Sequence, residues 1–170
     1  MHATATCLCA LLVALPCSAG AVEFQNSYLR FELPAGWTCE LEKTEFVCNP
    51  PHVEGQPVGA IMVLAAKIPG PDDGLGTYRR HLETRGAELG RHGIVKAPSY
   101  TTIGDALWVD ATLRGAEISG YLTRYLATVK HGLAILYTFS AHETVRSEVQ
   151  GAALLAVSTL QVKDTWRRER

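Results

Sequence analysis

Leu29, Phe31 and Leu33 alternate with Arg30 and Glu32, the period of two expected of a strand with one buried face. Pro34-Ala35-Gly36 then turns the chain into a second alternation, Trp37, Cys39 and Leu41 against Thr38, Glu40 and Glu42. The pattern resumes at Glu45, Phe46, Val47 and Cys48, so residues 37–48 read as a hairpin around Lys43-Thr44. Pairing Glu42 with Glu45 sets Leu41 opposite Phe46 and Cys39 opposite Cys48. That last position is a non-hydrogen-bonded pair, where side chains approach most closely, so the spacing predicts a cross-strand disulfide. Lys-Thr is poor chemistry for a two-residue primed turn, and a four-residue loop would keep the same register.

Residues 49–57 hold three prolines and a glycine and read as a loop. Residues 58–68 are almost continuously apolar, which predicts a strand near the middle of a sheet and covered on both faces. After Pro69-Gly70-Pro71, Asp72 and Asp73 suit a helix start, and Leu75, Tyr78 and Leu82 follow at helical spacing until Gly86, Gly90 and Gly93 end the helix. Further strands are predicted at 94–103, edged by Pro98, and at 107–114, 118–130 and 133–139. Gly115-Ala116 and His131-Gly132 supply turns. Ser140-Ala141-His142-Glu143 has capping-box form, and Val145, Val149, Ala152, Ala153, Ala156 and Leu160 share one helical face, predicting a helix over 143–160. The predicted class is α+β, an antiparallel sheet with two helices on opposite faces.

The first residues change what the cysteines mean. An uncharged apolar run from Cys7 to Pro16 leads into Ala19-Gly20-Ala21, the layout of a secretory signal peptide with an A-x-A cleavage site, although no Lys or Arg precedes it. Residues 1–21 are therefore expected to be removed, leaving a domain over 22–163 and a basic tail over 164–170. Cys7, Cys9 and Cys17 leave with the signal, so five cysteines become two in an oxidising compartment. Cys17 follows Pro16 rather than a small residue, which does not fit a lipoprotein signal, and no apolar run after residue 21 is long enough to span a bilayer. A soluble periplasmic or secreted protein is expected.

The net charge of −1 and the scattered basic residues give no basic face for nucleic acid. His52, His81, His92, His131 and His142 show no metal-binding spacing, and residues 70–76 lack a P-loop lysine, so no metal or cofactor is expected. Ser140 and His142, with Asp105 or Asp110, make the nearest approach to a nucleophilic site, outweighed by the capping role of Ser140. Candidate binding residues are instead His52 and Glu54 on the first proline-rich loop and Asp72 and Asp73 on the second.

Phe31, Leu33, Pro34, Gly36 and Trp37 form an F-x-L-P-x-G-W opening that resembles that of PsbP-like domains, and the order of strands and helices over nearly the whole chain after residue 21 is similar too. The resemblance implies an αβα sandwich. It also implies binding or accessory work, since the superfamily includes photosystem accessory proteins, a nuclear import factor and DcrB-like bacterial envelope proteins. The chain lacks the DcrB-like lipoprotein cysteine. The expectation is thus a non-catalytic accessory protein of the bacterial envelope, with an envelope protein or small ligand as partner. An inhibitor of an envelope enzyme is the nearer alternative and a Ser/His hydrolase the more distant one.

Overall fold

A computed structural model describes residues 20–52 and 59–163. The proposed signal up to residue 19, Glu54 and the tail from residue 164 lie outside the described residues. The described strands are β1 (Ala21–Gln25), β2 (Leu29–Pro34), β3 (Thr38–Glu42), β4 (Glu45–Asn49), β5 (Ala60–Lys67), β6 (Ile94–Ile103), β7 (Ala106–Arg114), β8 (Tyr121–Lys130), β9 (Leu133–His142) and β10 (Gln161–Val162). The helices are α1 (Leu75–Glu88), between β5 and β6, and α2 (Arg146–Ser158), between β9 and β10.

The strands form two antiparallel sheets rather than the single one expected. Seven run in the order β3-β4-β5-β9-β8-β7-β6, and three more form β1-β2-β10. β10 joins the small sheet because α2 returns the chain to β2. There Thr159 Oγ1 accepts the Glu32 N–H at 2.9 Å, and Lys163 N–H donates to the Tyr28 carbonyl at 2.8 Å.

Register assigns the side chains of the large sheet to two faces. Met62, Leu126, Tyr137 and Phe139 share one face and cluster with Leu29, Phe31 and Leu33 of β2 and with Ala153, Ala156 and Val157 of α2. Val109, Ala111, Leu113 and Tyr125 share the other and cluster with Leu82, Leu75 and Tyr78 of α1. Phe31 is fully buried, stacked on Phe24 and edge-on to Phe46 with ring centroids 5.7 and 5.0 Å away. The motif residues Leu33 and Trp37 are buried beside it, and Pro34 ends β2. Gly36 turns the chain with φ of 90°, and a Cβ there would lie 2.8 Å from Pro51 Cγ.

The β3–β4 hairpin pairs Glu42 with Glu45 and Cys39 with Cys48, whose sulfurs are bonded. Lys43 takes a φ of 58° at its two-residue turn. At the β8–β9 turn, His131 and Gly132 have φ of 50° and 80°, the positive values that a primed turn needs.

Several boundaries depart from the sequence pattern. Ser140 is not a helix cap: β9 runs on to His142 because Ala141 pairs with Ala60 of β5 and with Leu122 of β8. The last helix therefore starts at Arg146, after Val145, with no side-chain cap. Asp72 and Asp73 are not in the first turn of α1, whose N-cap is Gly74. The helix continues through Gly86, where a Cβ would lie 2.7 Å from Ile94 Cγ1, and Gly90 follows its end with φ of 78°. β8 begins at Tyr121, not Ile118, leaving a longer connection. β5 alternates in burial, with Met62 and Leu64 buried and Val63 and Ala65 half-exposed, so its two faces are not equally covered.

Candidate functional site

The uncovered face of β5 leads to the main concavity. Glu45, Ala65, Leu136, Ala127 and Val109 lie side by side across β4, β5, β9, β8 and β7, so they share one face of the sheet. At the Val109 end this row is roofed by α1, which packs over β6, β7 and β8. Beyond the helix, Ala65, Ala127 and Ala134 supply a floor too shallow to fill the space, and a groove of about 410 Å³ remains.

Its walls come from three elements. Leu75 and Tyr78 project from the first turn of α1, Thr44 and Glu45 close the hairpin side, and Asp72 and Asp73 stand on the connection between β5 and α1. Asp73 is held there: its Oδ2 accepts the Gly70 N–H at 2.6 Å, and its Oδ1 lies 2.9 Å from Lys67 Nζ. The Lys67 hydrogen bond and then that of Gly70 keep its carboxyl below the usual aspartate range. Asp72 is exposed. The Tyr78 hydroxyl titrates above the normal tyrosine value, through burial first and the Glu117 carboxylate second.

The candidate binding residues do not gather at one place. The loop carrying His52 enters β5 and the loop carrying Asp72 and Asp73 leaves it, so the two lie at opposite ends of that strand. His52 is exposed, and only the second loop borders the groove. Sequence reasoning missed the floor alanines, whose one signal was small residues at sheet positions where larger ones usually sit.

The Ser/His/Asp grouping is not assembled. Ser140 is buried and its Oγ lies 2.9 Å from Thr123 Oγ1. His142 Nδ1 instead contacts Thr144 Oγ1 at 2.8 Å. Asp110, opposite Leu126, sits on the other face of the sheet from Ser140, opposite Thr123. It accepts Arg124 Nε at 3.0 Å and Arg124 Nη2 at 2.7 Å, with Lys96 as a third donor. Burial raises the Asp110 pKa, but these cations more than offset it and leave the carboxyl below its ordinary range. Asp105 pairs with Lys130 at the far hairpin. Among the described residues no group of three or more His, Cys, Asp or Glu is placed to hold a metal ion, and no helix is long and apolar enough to cross a membrane.

This arrangement of a large antiparallel sheet and two helices is the PsbP-like fold. The cyanobacterial PsbP protein CyanoP from Synechocystis matches over 91% of this chain and 98% of its own, at a TM-score of 0.58 and 14% identity. The Ran-binding protein Mog1p from Saccharomyces cerevisiae matches over 88% and 98%, at 0.57 and 10% identity. LpqN of Mycobacterium tuberculosis, described as involved in cell envelope biogenesis, matches over 85% and 90%, at 0.55 and 12% identity. The chain spans 49% of a similar Bacteroides thetaiotaomicron protein. No family model matches the sequence, and no curated protein does.

Proposed function

We propose that the chain is an exported, non-catalytic accessory protein of the bacterial envelope that works by binding at the groove beside α1. The observation that carries this reading is the groove itself, an open concavity with an apolar floor and polar groups converging on its rim. Three further features support it. Ser140 and His142 are each engaged elsewhere, the hairpin is closed by a disulfide, and the fold is shared with a Ran-binding protein and a protein of envelope biogenesis.

The test is cross-linking in intact native cells with a C-terminally tagged chain, wild type beside Ala134→Leu, which fills the groove. Recovery of an envelope protein or small ligand by the wild type and its loss from the variant is the expected result. The recovered chain should begin near Val22 and gain two mass units on reduction. A chain that keeps residues 1–21, or capture indifferent to Ala134→Leu, would sink the proposal.

A further inference from the structure

The groove has a chemical character as well as a shape. Its lining carries three carboxylates, Glu45, Asp72 and Asp73, and one cation, Lys67, which is already paired with Asp73. Glu45 and Asp72 are exposed at the rim and form no ion pair among the described residues, so a positive charge arriving there meets unneutralised acid. Tyr78 adds an aromatic side chain on the α1 wall of the same groove, and aromatic faces attract cations. Below the rim lie Ala65, Ala127, Ala134 and Leu136, which offer an apolar chain a bed but no hydrogen bonds through their side chains. The volume of about 410 Å³ falls in the range of small-molecule sites.

We infer that the groove takes a small organic cation with an apolar chain, its ammonium at the acidic Glu45 and Asp72 rim and its chain over the alanine floor towards Tyr78. This rests on the groove being the binding site, and it names the ligand class. A free amphiphile fits better than a protein partner's lysine because the apolar floor lies deeper than the acidic rim. An anionic amphiphile of the same length would place its charge against the carboxylates.

The experiment is a titration of the full-length protein with decyltrimethylammonium, decyl sulfate and decanol, each below its micelle concentration, followed by amide NMR shifts. The ammonium is expected to shift Tyr78, Ala65, Ala127 and Ala134, with an affinity that falls as salt is added. The double variant Glu45→Gln, Asp72→Asn, both at exposed positions, should weaken it about tenfold and leave decanol unchanged.

Equal binding of the sulfate or the alcohol would overturn the charge preference, and a basic peptide that binds the same residues more tightly and displaces the ammonium would overturn the choice of a free amphiphile. Absence of groove shifts with any probe would overturn the inference. The broader proposal would survive that result if Ala134→Leu still abolished capture in cells, and would fall with it if capture were unaffected.

Discussion

Replacing Asp110 by Asn tests the electrostatics that lock β6, β7 and β8 together. Asp110 is 1% exposed and accepts hydrogen bonds from Arg124 Nε and Nη2 and from Lys96, whose own side chain is 45% exposed. Asparagine keeps the shape but removes the charge, leaving Arg124, 16% exposed, beside a neutral amide. Breaking a buried pair by removing one partner costs about 3–5 kcal/mol, and the solvent contact of Lys96 argues for the lower end, about 3 kcal/mol at pH 7.

The loss should depend on pH in a definite direction. The folded carboxyl titrates below its ordinary value of 3.8, so between the folded and unfolded pKa values the unfolded chain binds more protons and stability rises with pH. The stabilisation is fully present above the unfolded pKa and fades as pH falls through the folded one. Urea unfolding of both proteins at pH 7 and at steps below 4 reads this directly. The gap between them should be widest at pH 7 and narrow in acid. A gap under about 1 kcal/mol at pH 7, or one that stays constant into acid, would refute the reasoning.

Other expectations follow from the packing. Replacing both Cys39 and Cys48 with Ala opens a ring spanning a sequence separation of 9, and urea midpoints should report a loss of about 2.5–3 kcal/mol. Phe31→Ala empties a fully buried site between two rings and should cost about 3–5 kcal/mol by the same assay. Ser140→Ala removes one hydrogen-bond partner of the Thr123 hydroxyl, which is 0% exposed and also bonds Tyr125, and should cost about 1 kcal/mol. Serine-hydrolase probe labelling should be the same in that variant and the wild type; labelling that vanishes with Ser140 would restore the hydrolase alternative.

Much of the framework was legible because local pattern and tertiary pairing agree. The hairpin over 38–49 is an example: alternation fixes which side chains share a face, and the turn fixes which cysteine meets which. Ser140 shows the opposite case. Its capping-box spacing is a local preference, overridden because residues 140–141 complete the ladder with β5 and residues 140–142 that with β8. β1 and β10 were missed for another reason. β10 is two residues long and pairs only because α2 delivers it to β2, information that no short window contains. The groove was hidden in the same way, since Ala65 is far in sequence from Ala127 and Ala134 and meets them only through strand register. Asp72 and Asp73 were picked out as binding residues from their loop alone, and they border the groove.

The most direct test of the binding claim is photo-cross-linking in intact cells from a benzoyl-phenylalanine placed at Leu136 in the groove floor, against one at exposed Val95 on β6. A defined adduct is expected from position 136 that disappears when Ala65→Leu is added, and none from position 95. Adducts from position 95 alone, or a position 136 adduct indifferent to Ala65→Leu, would place the working surface elsewhere and contradict the claim.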